Sequence, residues 1–128
     1  MDDAGRAHLN EIVEKTVGAV YEVGRILGAG FLEKVYERAL TLELRRRGLR
    51  VETQVPVNVR YKGESVGDYF ADVVVEGCVI VELKCVKEFG NEHIAQCLNY
   101  LRATNLHLAL LVNFQNPKIE WRRLVRDF

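Results

Sequence analysis

No run of apolar residues in this chain approaches the length needed to cross a bilayer. No secretory leader is visible either, because the N-terminus, M-D-D-A-G-R-A-H, is polar and acidic where a leader is basic and then apolar. A cytoplasmic location, with no membrane partner, is the expectation. An excess of charge of one sign is also missing. Lys plus Arg number 18 and Asp plus Glu number 18, so no net field draws the whole molecule toward nucleic acid, which speaks against a protein that coats DNA. The three cysteines, Cys78, Cys85 and Cys97, contain no C-x-x-C pair and sit in apolar segments, where a free thiol packs as a small hydrophobe. Neither a disulfide framework nor a cysteine zinc site is expected. Fixed-period repeats and low-complexity tracts are absent, which sets aside solenoid and disordered classes.

What remains is 128 residues, 48% hydrophobic and 28% charged, enough for one domain over residues 1–128 and short of two. Leu9, Ile12, Val13, Val17, Val20 and Tyr21 repeat at three and four, predicting a helix over about residues 6–27 that Gly28-Ala29-Gly30 stops. A second helix over about 32–47 should bury Leu32, Val35, Tyr36, Ala39, Leu40, Leu42 or Glu43, and Leu44, with a basic last turn before Gly48. From Val51 the period changes to two, giving a long strand to Tyr61 whose Pro56 favours an edge position. Strands over about 65–75 and 78–86 follow. The second of these is continuously apolar, as expected of a strand buried on both faces at the centre of a sheet. A helix over about 92–104, a buried strand over 106–114 and a short strand or tail over 119–125 complete an α/β sandwich with a mixed sheet.

The central strand ends in V-E-L-K-C, and alternation puts Glu82 and Lys84 on one face, about 7 Å apart. A buried carboxylate costs several kcal/mol unless it is paired or bound to a cation, on the order of the penalties measured for buried ions. By itself E-x-K reads as a simple ion pair. Asp72, in Y-F-A-D-V-V-V on the preceding strand, changes that reading. A plain two-residue turn at Glu76-Gly77 would place Asp72 across from Val81, on the wrong face. A three-residue loop, Glu76 to Cys78, pairs Val75 with Val79 and Asp72 with Glu82, and Gly77 suits its left-handed position. With that odd loop, two carboxylates stand beside one lysine. This is a site for a hard divalent cation such as Mg²⁺, and the chemistry it offers is phosphodiester hydrolysis. Glu33 on the second helix can join this face together with Tyr36 or Glu37. As a first-turn acid it also complements the helix dipole. On the third helix His93, Gln96 or Cys97, and Tyr100 form a stripe, and a buried Gln96 and Tyr100 would need polar partners. The arginines 45, 46, 47 and 50, and 122, 123 and 126, are either ordinary solvated charge or a local rim for phosphate.

Taken together, Gly30-x-x-Glu33-x-x-Tyr36, Asp72, Glu82-x-Lys84 and Gln96-x-x-x-Tyr100 resemble the GxxExxY family of small bacterial and archaeal proteins, which is assigned to the PD-(D/E)XK nuclease superfamily. The resemblance covers about residues 17–125. It implies an α-β-β-β-α-β restriction-endonuclease-like core in which the second helix here is the first core helix, with one additional N-terminal helix. It implies Asp72 and Glu82 as metal ligands, Lys84 as the catalytic lysine and Glu33 as an acid supplied by the helix. Tyr36, Gln96 and Tyr100 would support the site, the last two as a Q-x-x-x-Y element. Ala71 stands where the superfamily often has proline. The implied activity is that of a Mg²⁺- or Mn²⁺-dependent nuclease acting on nucleic acid, with DNA the expected substrate and a homodimer a way to enlarge the substrate surface. A non-catalytic binding or assembly module on the same fold is the alternative. A third reading, a structural Glu82–Lys84 pair, requires those side chains to touch and Asp72 to point away.

Overall fold

The structure, a computed structural model, describes residues 1–128. Helix α1 spans Asp3–Leu27 and α2 Glu33–Arg46; strands β1 (Val51–Tyr61), β2 (Glu64–Val75) and β3 (Val79–Lys84) precede α3 (Asn91–Thr104), β4 (Leu108–Asn113) and β5 (Glu120–Val125). Asp2 caps α1 by accepting the Gly5 amide at 2.7 Å. Gly28, at φ 70°, ends the helix and donates its amide to Gly24 at 2.9 Å.

The strands lie in the order β1-β2-β3-β4-β5, with β3 parallel to β4 and every other neighbour antiparallel. The parallel pair needs a crossover, and α3 supplies it. Helices α1 and α2 cover one face of the sheet over a core that includes Leu40, Leu44, Val79, Val81, Leu83 and Leu110. Helix α3 covers the other face over Ile80, Cys97, Leu101, Ala109 and Leu111. Burial on both sides explains the unbroken apolar run of β3, in which each fully enclosed Val, Ile or Leu contributes about 1.5–3 kcal/mol. Pro56 sits in the edge strand, as its missing amide requires. The segment expected as a short strand or tail pairs as β5 along the full length of β4.

The inner face of α2 differs from the expected one. Leu32 is 80% exposed and Val35 is also exposed, whereas Tyr36, Glu37, Leu40, Thr41 and Leu44 are buried. Leu32 is the N-cap residue, so its side chain lies outside the helix, and the buried seam of residues four apart runs one position later than the apolar pattern suggests. That rotation takes a carboxylate, Glu37, indoors.

Two local features place the site. The loop from Glu76 to Cys78 has three residues: Val75 pairs with Val79, Glu76 and Gly77 are left-handed at φ 52° and 66°, and the Cys78 amide donates to the Val75 carbonyl at 3.1 Å. Continuing that register sets Asp72 opposite Glu82. The second feature is a reversal of side-chain alternation. Val51, Val73 and Val75 face the α1/α2 core, but Val55, Val57 and Ala71 face the α3 core. Strict alternation would have kept Ala71 with Val73. The change occurs between the Thr53–Val73 and Val55–Ala71 pairs, where Gln54, at φ 50°, lies across from Asp72.

Candidate active site

Asp72 and Glu82 are joined crosswise. The Asp72 amide donates to Glu82 Oε1 at 2.9 Å, and the Leu83 amide donates to Asp72 Oδ2 at 2.9 Å. Where the strands reach the reversal, each carboxylate takes the place of a carbonyl in the ladder. Glu82 is only 2% exposed. Burial, and next the charge of Asp72, push its carboxyl up to about 8, against the opposing pull of the Asp72 amide and of Lys84. Asp72 is also raised, first by burial. The Leu83 amide is the main opposing influence, while Glu37 raises it and Lys84 and Gln54 lower it. Glu33, at the start of α2, is raised by burial and then by Asp72, with Lys84 and the Cys85 amide opposing.

Lys84 is half-buried, and its positive charge is felt by Glu33, Asp72 and Glu82, yet it makes no ion pair with any of them. The simple structural pair is therefore not what this face contains, since Lys84 and Glu82 do not meet and Asp72 turns toward Glu82. The backbone around Lys84 is held firmly. Its carbonyl accepts the Phe114 amide at 3.0 Å, and the buried Asn113 clamps Val86 by donating to its carbonyl at 2.7 Å and accepting its amide at 3.2 Å.

Glu33, Lys34, Glu37, Gln54, Asp72 and Leu83 enclose a small cavity of about 230 Å³. Glu37, not Tyr36, is the neighbour that shares this space with Glu33. It pairs with Lys34 and accepts the Gln54 amide at 2.6 Å. Tyr36 sits elsewhere, stacked on Phe114 with ring centroids 4.6 Å apart. Its hydroxyl donates to the Gly28 carbonyl at 2.6 Å and accepts the Phe31 amide at 3.2 Å. It thus fixes the loop that delivers Glu33 and makes no contact with the acidic cluster. On the opposite side, Gln96 donates to the Tyr100 hydroxyl at 3.0 Å. Burial, and then the charge of Glu82, push that hydroxyl up to about 12. His93 closes the start of α3 by accepting the Gly90 amide on Nδ1 at 3.0 Å. The i,i+4 spacing of Glu33 and Glu37 is the sequence signal for their pairing, and the structure takes Glu37 of the two alternatives. Gln54 and Asn113 carry no such signal, since Gln54 looks like an outward residue of an ordinary strand.

No three His, Cys, Asp or Glu side chains converge closely enough to form a metal cage. The donor set nevertheless fits a hard divalent ion. Such an ion is commonly held by one or two carboxylates plus retained waters, and here Asp72 and Glu82 are adjacent, desolvated and short of positive charge.

The sequence matches the profile of the PD-(D/E)XK nuclease superfamily over residues 10–124. The chain belongs to that superfamily. Among solved PD-(D/E)XK-like folds, the crystal structure of SSO0001 superposes with a TM-score of 0.58 at 19% identity, over 93% of this chain and 59% of that one. An alkaline exonuclease, LHK-Exo from Laribacter hongkongensis, gives 0.53 at 16% identity over 73% and 55%. The same exonuclease in complex with dAMP gives 0.50 at 13% identity over 89% and 82%. At these identities the likeness is one of fold, and it matches the mixed five-stranded sheet with its flanking helices. The chain spans only 59% and 55% of the first two structures. No similar sequence is found among curated proteins. No helix of this chain is long and apolar enough to cross a membrane.

Proposed function

We propose that this PD-(D/E)XK protein is a divalent-metal-dependent nuclease that hydrolyses phosphodiester bonds, and that Gly30-x-x-Glu33-x-x-Tyr36 marks it as a GxxExxY type. One observation carries the reading: the odd loop at Gly77 sets Asp72 against Glu82 while Lys84, on the face of Glu82, has no carboxylate partner. Asp72 and Glu82 would hold Mg²⁺ or Mn²⁺. When bound, such an ion polarises a phosphoryl oxygen and lowers the pKa of a water. The free ammonium of Lys84 would orient the attacking water or offset charge growing on the phosphoryl oxygens. Glu33, its carboxyl raised by burial, is suited to take a proton from water, directly or through a second water. Because the Tyr100 hydroxyl accepts from Gln96, its own proton remains available to a phosphate or a water. The water oxygen bonds to phosphorus as the phosphorus–oxygen bond opposite breaks, the water's proton passing to Glu33 and the leaving oxygen taking a proton from solvent. A neighbour of the same fold named an exonuclease, and its complex with the deoxynucleotide dAMP, support nucleic acid, and DNA in particular, as the substrate.

A second reading, a module that keeps the fold and binds without cutting, is favoured by the crosswise bonds, which already occupy oxygens of both carboxylates. Cleavage assays with Mg²⁺ and Mn²⁺ on single- and double-stranded DNA and RNA decide between the two. The nuclease reading expects activity in the wild type and its loss in Lys84→Ala, and equal rates in both would sink it. Calorimetric titration with Mn²⁺ should show binding that Asp72→Asn weakens. If neither protein binds the ion, the non-catalytic module stands.

A further inference from the structure

Beyond the carboxylates, the far half of the β1/β2 hairpin leans over α3 and leaves an open groove of about 1140 Å³. That is larger than the roughly 300–1,000 Å³ typical of a small-molecule pocket and suits a short length of polymer. Its walls carry an unusual set of groups. Arg60 and Arg102 both line it, and neither meets a carboxylate: Arg60 donates to the Gly63 carbonyl at 3.1 Å, and Arg102 to Asn99 Oδ1 at 2.8 Å. Tyr69 is half exposed. Its ring crosses Gly67, where a Cβ would come within 3.3 Å of a ring carbon, and its centroid lies 6.0 Å from that of Tyr100. Asn58, on the same wall, gives its Nδ2 to Ser65, Gly67 and Asp68 but leaves its buried Oδ1 without a donor. A one-residue bulge in β2 at Val66, opposite Val59 and Arg60, shapes this end of the hairpin. Gln96 and Tyr100 line the groove as well, and Tyr100 is the lining residue whose hydroxyl feels the charges of Glu82 and Asp72.

We infer that this groove holds single-stranded nucleic acid, with a base stacked on Tyr69 and neighbouring phosphates on Arg60 and Arg102. The inference takes its class of ligand from the nuclease reading and adds the strandedness. A half-exposed aromatic ring in the groove wall offers a stacking face, and a base can use it only after leaving a duplex. Charge points the same way. The chain has no net positive charge, and the groove has only two free guanidinium groups, so stacking rather than phosphate neutralisation must supply most of the affinity.

Fluorescence anisotropy with a labelled single-stranded DNA oligonucleotide, and with the duplex of the same sequence, tests this with the full chain in chelator, where no metal-dependent cleavage occurs. The single strand should bind more tightly than the duplex. Tyr69→Ala should weaken it on the order of tenfold or more, and Tyr69→Phe should restore it. The double variant Arg60→Ala/Arg102→Ala should make the slope of log affinity against log salt shallower by about 1.4, from about 0.7 for each single-strand phosphate contact. Equal binding of duplex, no binding of the single strand, affinity indifferent to Tyr69→Ala, or a salt slope unchanged by the arginine pair overturns the inference. Cleavage is scored separately. A protein that cuts in Mn²⁺ but ignores Tyr69 keeps the nuclease reading and loses the groove, whereas one that binds through Tyr69 and never cuts does the reverse.

Discussion

Asp72 and Glu82, facing each other across the β2/β3 hairpin, each hold a backbone amide of the other's strand at 2.9 Å. The arrangement keeps two acids together in a buried place, and its cost falls on Glu82, whose carboxyl is pushed from 4.5 to about 8 by burial and by Asp72. Between those two values the folded chain holds a proton that the unfolded chain releases. The contribution of Glu82 to stability should therefore fall as pH rises from 4.5 to about 8, with a change on the order of a few kcal/mol. Denaturant titrations across this range should show the slope in the wild type and a flatter profile in Glu82→Gln.

A divalent ion must displace that proton. Mn²⁺ affinity should rise with pH up to about 8, and binding at neutral pH should release close to one proton. Calorimetry in two buffers of different ionisation enthalpy measures the release. An affinity that does not change with pH would contradict a protonated Glu82.

Lys84→Ala should lower the cleavage rate by roughly a hundredfold to ten-thousandfold while Mn²⁺ still binds, because the ammonium serves the reaction and not the ion. Removing it also takes away a positive charge that lowers the Asp72 and Glu82 carboxyls, so the pH of half-maximal metal binding should move upward. Activity and calorimetry, run side by side, separate these two effects.

Gln54→Ala should destabilise the protein by about 1–3 kcal/mol, since Glu37 is buried and would lose the amide it bonds at 2.6 Å. Glu37→Gln in the same background should return part of the loss by removing the charge. Thermal melts of the two single variants and of the double variant give the coupling between them.

Gly77→Ala should cost about 1–2 kcal/mol from its left-handed backbone alone, because nothing lies within 4 Å of the added methyl group. Mn²⁺ binding should survive this change. Loss of binding in a folded Gly77→Ala protein would mean that the hairpin had slipped and carried Asp72 to the other face.

Much of this site can be read from the chain itself, and the reason is local. Glu76-Gly77-Cys78 sets the hairpin register through its own backbone preferences, so Asp72 could be placed opposite Glu82 before any packing was considered. The alternation of Val51, Thr53, Val55 and Val57, by contrast, is unbroken in the sequence although the faces exchange at Gln54. A left-handed turn at a glutamine in mid-strand leaves no mark in hydrophobic patterning, because the cause is the packing of two helical layers against one hairpin. The apolar spacing of α2 misleads for a related reason. Leu32 and Val35 fit a helical stripe, but the face actually chosen brings Tyr36 to Gly28 and Glu37 to Gln54. The polar bonds it satisfies are specific to the folded chain and invisible in spacing.

The two amides that lean on carboxylates make the site spectroscopically legible. An N–H bonded to an acid shifts its proton resonance when that acid gains or loses charge, and here the reporters are backbone groups that no mutation has to install. The Asp72 and Leu83 cross-peaks in a nitrogen-15 correlation spectrum should move together through the titration of Glu82 and jump when an ion enters. The state of the acid pair can thus be followed in the unmodified protein, without substrate and without turnover.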